Sequence, residues 1–308
     1  MMHLIRGVTG LRGRCAGCAV TIGTYDGIHL GHQALIARLR QHATKRGTPA
    51  VLLTFEPMPR EYLTPGDPPA RLTTLRERWR ILAPLELEYL WLLRFDEALR
   101  NLDAEAFAQL LVRELKPAVV VVGHDFRFGR HGQASPPVLA EAGRRLGFEV
   151  DELPAVTLDG ERISSSGVRA ALADSDFVRA RRWLGRPWSM RGRVMPGLRL
   201  GADLGFPTAN LRLERRRAPV AGIFAVRVRG AGSGELAGVA SLGTRPTVAG
   251  TEALLEAHIF DFNADLYGRE IEVEFVAKLR EEVRFDTLAA LSAQMRRDAA
   301  QARQILNV

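Results

Sequence analysis

The chain has 308 residues, 46% of them hydrophobic and 25% charged, enough apolar material for a substantial core and a length that favours two domains over one. No apolar run approaches the roughly eighteen residues that cross a bilayer, and the N-terminus, MMHLIRGVTGLRGRCAG, lacks the continuous apolar stretch of a signal peptide, so a cytoplasmic protein with no membrane partner is expected. The formal charge is +8, almost all of it from arginine, but basic residues are interleaved with acidic ones, as in RLTTLRERWR and KLREEVRF, which favours a solvated surface and argues against a nucleic-acid partner.

Cys15 and Cys18 form a lone CxxC; with no second ligand pair, the spacing favours ordinary reduced thiols over a redox pair or half of a zinc site. Residues 18–23 (CAVTIG) read as a short buried strand, and 31–46 carry helical spacing at Leu35, Ile36, Leu39 and His42. VLLTF (51–55) is a strand, Thr73-Thr74 cap a helix through Leu82, and YLWLLRF (89–95) is a strand. Asp103 caps a helix to Lys116, and AVVVVG (118–123) is the continuous apolar run of a central parallel strand. This alternation predicts an α/β, Rossmann-like domain with a parallel sheet covered by helices on both faces. From Trp188 the pattern changes to short strands broken by Gly and Pro: 188–195, 223–230, 235–243, 254–262 and 270–279, then a helical segment after Asp286. That predicts a small antiparallel barrel or sandwich with a C-terminal helix. Gly185 and Pro187 set the boundary, dividing the chain into 1–184 and 185–308.

The loop Gly23-Thr24-Tyr25-Asp26-Gly27-Ile28-His29-Leu30-Gly31-His32 leaves the carboxyl end of the first of these strands and opens the following helix. Open parallel sheets bind anions there, because loop N–H groups and the helix N-terminus point at the guest. Glycines allow close backbone approach, and His29 and His32 can put two imidazoles on one side of the turn, suited to a triphosphate and its departing pyrophosphate; by spacing alone a zinc pair or a plain turn stays open. Further on, Ile163-Ser164-Ser165-Ser166-Gly167-Val168-Arg169 offers hydroxyls, free N–H groups and a guanidinium at a helix start.

The first string resembles the GxxDGxHxGH signature of the HxGH nucleotidyltransferase superfamily, and the second its ISSTxxR signature with serine at 166. TFEPMPREYL (54–63) and VVGHDFRFGR (121–130) are similar to the flavin adenylyltransferase versions of neighbouring strand ends, with departures at Met58, at His124 and in the segment HGQASP. The resemblance implies transition-state stabilisation by His29 and His32, and nucleotide or phosphate binding by Gly23, Asp26, Gly31, Ser165, Ser166 and Arg169. Asp125 is then a polar contact to flavin and Phe126 an apolar wall.

A phosphate-transferring domain is ordinarily sought through GxxxxGK[ST], yet none of the three lysines follows a glycine. Instead, Gly192 to Gly201 leads into Leu204-Gly205-Phe206-Pro207-Thr208-Ala209-Asn210-Leu211. Glycines at 197, 201 and 205 let a loop wrap phosphates, and the Thr208 hydroxyl and Asn210 carbonyl are hard oxygens suited to magnesium. This string resembles the GxxxGxxxxGFPTANL element of riboflavin kinases, and the likeness continues through 222–228, 238–248, 255–268 and 273–298. It implies nucleotide binding by Gly197, Gly201, Pro207 and Thr208, Mg2+ on Thr208 and Asn210, and Glu256 as the base taking the proton of the flavin's ribityl hydroxyl. Ala202, where Arg or Lys is common, and Ser241, where Asn is usual, depart from the pattern, with Arg199 or Arg245 as replacement charge. The two likenesses together mark the bifunctional riboflavin kinase/FMN adenylyltransferases, the prokaryotic FAD synthetases, and imply riboflavin, FMN and ATP as substrates and a monomer or weak homo-oligomer. Two alternatives remain: adenylylation of a different phosphate ester by the N-terminal half, and a nucleic-acid module with a vestigial pocket.

Overall fold

The computed structural model describes residues 1–13, 15, 17–197, 201, 204–215, 217–247 and 250–308. Arg199 and Ala202, and the side chain of Arg245, lie outside the described residues. The chain separates into two compact units, Met1–Pro69 with Leu75–Ser164, and Ala70–Thr74 with Ser165–Val308.

In chain order the first unit contains β1 (His3–Arg6), β2 (Ala19–Ile22), α1 (Leu30–Arg46), β3 (Ala50–Glu56), α2 (Pro59–Leu63), α3 (Leu75–Leu82), β4 (Tyr89–Arg94), α4 (Glu97–Arg100), α5 (Ala104–Leu115), β5 (Val119–Gly123), α6 (Pro136–Leu146), β6 (Glu149–Leu153), and a small hairpin of β7 (Thr157–Leu158) with β8 (Glu161–Arg162). Strands β1 to β6 form one parallel sheet in the order β1-β4-β3-β2-β5-β6. Two-residue alternation puts Val20, Ile22, Val120 and Val122 in one core with Phe107 and Leu111 of α5, while Ala19, Val119 and Val121 face Ile36 and Leu39 of α1. Both faces are therefore buried, and this is why the strands read as unbroken apolar runs. The chain leaves β2 for β3 on one side and later returns to place β5 on the other, so the sheet's topological switch lies at the carboxyl ends of β2 and β5, where such sheets bind ligands.

The second unit holds α7 (Ser165–Ala173), α8 (Phe177–Leu184), β9 (Ser189–Met195), β10 (Ala209–Arg212), β11 (Gly222–Arg229), β12 (Glu235–Thr247), β13 (Gly250–Ile259), β14 (Glu270–Arg280) and the C-terminal helix α9 (Leu288–Leu306). Strands β9 to β14 close an antiparallel barrel in the order β10-β13-β12-β11-β14-β9. Thr287 caps α9, whose Ala302 and Leu306 pack on Ala225 and Phe260. Segment 70–74 belongs to this unit because three of its carbonyls are held there: Ala70 by Arg169 Nε (2.7 Å), Arg71 by Arg215 (3.2 Å) and Leu72 by Trp188 Nε1 (3.3 Å).

Both expected architectures are present, the second as a barrel and not a sandwich. Strands β1, β6, β7, β8 and β10 escaped the reading of the sequence. β6 is the instructive case, because EVDEL looks like polar loop until its carboxylates find partners on α1: Asp151 takes Arg38 (2.6 Å) and His42 Nε2 (2.5 Å), and Glu149 takes Arg46 (2.6 Å). His42 thus carries a polar contact where its spacing suggested an apolar face. The stretch RLTTLRERWR, whose mixed charges favoured a solvated surface, goes partly inside: Glu77 and Arg78 are buried.

Candidate active sites

At the end of β2 the loop is forced into conformations that side chains rarely adopt. Tyr25 and Ile28 have φ of 52° and 44°, costing on the order of 1–3 kcal/mol each. Burial offsets that cost, since both side chains are fully inaccessible and the Tyr25 hydroxyl lies 2.5 Å from Thr21 Oγ1, which itself donates to the Val121 carbonyl (2.9 Å). Burial also raises the Tyr25 phenol pKa, so this ring is a neutral support for the turn. Gln33 Nε2 donates to the Ile28 carbonyl (2.9 Å).

The histidine pair is built by the same turn. His29 caps α1: its Nδ1 accepts the His32 backbone N–H (3.3 Å), and the imidazoles stack with centroids 3.7 Å apart. Because Nδ1 is an acceptor, the proton of neutral His29 sits on Nε2, which is left as the donor. Burial, the neighbouring His29 and Arg78 all hold the His32 pKa well below the usual histidine range. Gly31 cannot be replaced without disturbing this pair, since a Cβ there would stand 3.1 Å from the His29 ring. The same Cβ would be 3.8 Å from the carbonyl of Ile163, so the first residue of the Ser-rich string runs alongside the histidine turn. Asp26 is buried in the loop.

One residue of this site was missed. Arg78 of α3 is 1% exposed and donates to the Thr24 carbonyl (2.9 Å), Thr54 Oγ1 (3.2 Å) and the Glu56 carboxylate (2.7 Å), tying the loop after β2 to the end of β3. On the other side of β2, Asp125 follows β5 and is exposed, with its carboxylate in an ion pair with Arg162 of β8; Phe126 stacks on Phe128 with ring centroids 5.5 Å apart. Met58 is buried, and its N–H donates to Glu61 at the start of α2 (3.2 Å). Cys15 and Cys18 are buried and free, Cys18 with its thiol against the Leu115 carbonyl. Among the described residues no group of three or more His, Cys, Asp or Glu could hold a metal ion.

The Ser-rich string crosses from one unit to the other between Ser164 and Ser165. Ser165 and Ser166 form the first turn of α7, and Arg169 stands one turn further on. Gly167 lies against the Trp183 indole, where any Cβ would collide.

In the barrel, the register aligns Asn210, Glu256 and Ser241 in one row across β10, β13 and β12. A Cβ at Gly197 would collide with the Asn210 amide, and one at Gly201 with the Phe206 carbonyl, so these two glycines lie close against the segment Phe206–Asn210. Along β13, Leu255, Ala257 and Ile259 point into the barrel, leaving Glu256 and His258 half-buried on its other face. There they border a cavity of about 510 Å³ whose wall also includes Phe206, Thr208, Phe285 and Met295. Burial, reinforced by the neighbouring Glu282, raises the Glu256 pKa above the usual carboxylate range. Ser241 Oγ donates to Glu282 (2.9 Å), which positions that second carboxylate. At the cavity's edge Arg280 forms a two-pronged pair with Asp298 of α9 (3.0 and 2.7 Å), fixing helix to barrel. Glu282, Arg280 and Asp298 lie in the stretch 273–298 that shares the kinase likeness, but the sequence did not single them out as site residues.

Comparison with known proteins finds one family along each part of the chain. Residues 13–167 match the FAD synthetase family and residues 184–306 the riboflavin kinase family. The chain is 43% identical over 309 residues to the bifunctional riboflavin kinase/FMN adenylyltransferase of Escherichia coli K12, covering 100% of this chain and 99% of that one. It is 44% identical to the Pseudomonas fluorescens protein of the same name, over 99% and 98% of the two chains. A crystal structure from Streptococcus pneumoniae, named a macrolide-efflux protein, superposes with a TM-score of 0.79 at 30% identity over 98% of each chain. Among the described residues of the present chain no helix is long and apolar enough to cross a membrane. With both family matches in order along its length and relatives aligned end to end, the chain belongs to the bifunctional riboflavin kinase/FMN adenylyltransferase family.

Proposed function

We propose that residues 185–308 phosphorylate riboflavin to FMN with ATP, and that residues 1–184 transfer the adenylyl group of a second ATP to FMN, giving FAD and pyrophosphate. The observation that carries this reading is the coincidence of two family matches with two separately built sites, a histidine turn at the switch point of a parallel sheet and a carboxylate-lined cavity on a barrel.

In the kinase half, Glu256 accepts the proton of the ribityl hydroxyl as that oxygen attacks the γ-phosphorus of ATP and ADP leaves. A carboxylate is a weak base near neutrality, and its raised pKa brings it closer to the working pH, where general bases act best. The loop through Gly197, Gly201 and Pro207 wraps the nucleotide phosphates. Mg2+ fits the donor set here: Thr208 and Asn210 supply neutral hard oxygens beside Gly201 and Gly197, and this ion ordinarily takes its remaining ligands from phosphate and water. When bound, the ion neutralises charge developing on the transferred phosphoryl group. The apolar part of the cavity, with Phe206, Phe285 and Met295, suits the flavin rings.

In the adenylyltransferase half, an FMN phosphate oxygen attacks the α-phosphorus of ATP and pyrophosphate departs. His29 and His32 hydrogen-bond to the charge that develops there, a role the acceptor state of His29 Nδ1 supports by leaving Nε2 as the donor. Gly23, Asp26 and Gly31 shape the loop, and Ser165, Ser166 and Arg169 hold phosphates. Asp125, oriented by Arg162, is the polar contact to flavin and Phe126 its apolar wall. The protein acts on small molecules alone, in the cytoplasm, as a monomer or weak homo-oligomer.

Incubation of the purified protein with riboflavin, ATP and magnesium, with flavins resolved by chromatography over time, is expected to show FMN rising and then giving way to FAD. FMN accumulating alone would confine the reading to the kinase half and favour a different acceptor at the first site. Separately, Arg78→Met is expected to reduce FAD formation from supplied FMN by up to about 10²-fold through displacement of the Thr24 turn. It should also cost about 1–3 kcal/mol in urea unfolding, because Glu56 loses its guanidinium, and FMN formation should be spared.

A further inference from the structure

Pro207 enters the proposed metal-binding turn with one hydrogen-bonding group only. Its ring removes the N–H and fixes φ, so its carbonyl alone can anchor it. Upstream, the Phe206 N–H is held by the Gly201 carbonyl (2.7 Å); downstream, Ala209 enters β10. Between these fixed points the plane of the Pro207–Thr208 peptide sets the Thr208 backbone, and with it the direction in which the Thr208 hydroxyl is presented.

That plane is held by a side chain. His258 Nδ1 lies 2.9 Å from the Pro207 carbonyl oxygen. A carbonyl can only accept, so Nδ1 carries the proton and donates. The ring is in turn fixed by edge-on packing against Phe206 (centroids 5.2 Å, 68°) and Phe260 (5.7 Å, 70°). His258 is two residues from Glu256 on the same face of β13, so a single strand sets both the base and the turn across the cavity from it.

We propose that His258 is a positioning residue of the kinase site, whose bond to Pro207 aims the Thr208 hydroxyl at the nucleotide-bound metal. The proposal rests on the reading above that Thr208 and Asn210 hold Mg2+. Groups that orient a metal's ligands typically govern affinity by about 10- to 100-fold when removed.

The test uses the full-length protein and Mn2+ as probe, its binding followed by electron paramagnetic resonance with excess ADP. Thr208→Ala identifies the class of Mn2+ sites that belongs to the kinase half. His258→Phe, which keeps an aromatic ring between Phe206 and Phe260 but has no donor, is expected to weaken that class by at least about tenfold. It should raise the Mg2+ needed for half-maximal FMN formation by a similar factor, with little change in the KM for riboflavin and none in FAD formation from supplied FMN. His258→Asn, which keeps a donor near the Nδ1 position, should restore most of the affinity. If Thr208→Ala removes no class of site, the metal reading falls and this inference with it. If Thr208→Ala removes one and His258→Phe leaves it at native affinity, or if His258→Asn is as weak as His258→Phe, the inference alone is overturned.

Discussion

Replacing His29 with alanine is expected to reduce kcat for FAD formation from FMN and ATP by about 10²–10³-fold, the usual loss when a preorganised donor to developing charge is removed, while FMN formation from riboflavin stays unchanged. The specificity follows from the chain's two units, because the histidine turn lies in one and the Glu256 cavity in the other. His29 also caps α1, and losing a cap costs about 1 kcal/mol, too little to unfold the unit but enough to blur a single substitution. His29→Asn separates the two effects. Asparagine is a strong N-cap and restores the acceptor for the His32 N–H, yet its Nδ2 donor is too short to reach the position of Nε2. Steady-state rates should therefore be equally low for His29→Ala and His29→Asn, with the thermal unfolding midpoint recovered only in the latter. Near-native FAD synthesis by His29→Asn would reduce the residue to a helix cap.

How much of this could be read from the sequence depended on whether a residue's role is local. AVVVVG declared itself a central strand because each of its faces meets a core, and no distant partner is needed to see that. The histidine turn was equally legible, since its glycines, cap and imidazoles all lie within ten residues. EVDEL was illegible for the opposite reason: its carboxylates become strand-compatible only when Arg38, His42 and Arg46 arrive from a helix about a hundred residues earlier. Arg78 shows the same limit at a site. In RERWR it is flanked by Arg76 and Arg80, which are exposed, and nothing in the string says that the middle arginine goes inside to hold Thr24 and Glu56. In the barrel, Glu256 was found by resemblance, whereas Glu282, which reinforces its raised pKa, sits in a stretch that looked like ordinary surface charge.

That pair of carboxylates makes the second large effect a pH effect. Glu256→Gln is expected to lower kcat for FMN formation by about 10²–10⁴-fold, the range ordinarily supplied by a positioned base, with FAD formation from supplied FMN unaffected. In the native enzyme the base must be ionised, so kcat/KM for riboflavin falls as pH drops through the Glu256 pKa. Burial first and the Glu282 charge second disfavour that ionisation, so the acid limb lies above the range of a free carboxylate. Glu282→Gln removes the repulsion but not the burial, and keeps an oxygen to accept from Ser241 Oγ, so the limb should move to lower pH without reaching the value of an exposed glutamate. The shift should be absent from FAD formation measured on the same sample. An acid limb that persists unchanged in both Glu256→Gln and Glu282→Gln would mean that another group sets it, and the proton would have to be assigned elsewhere in the cavity wall.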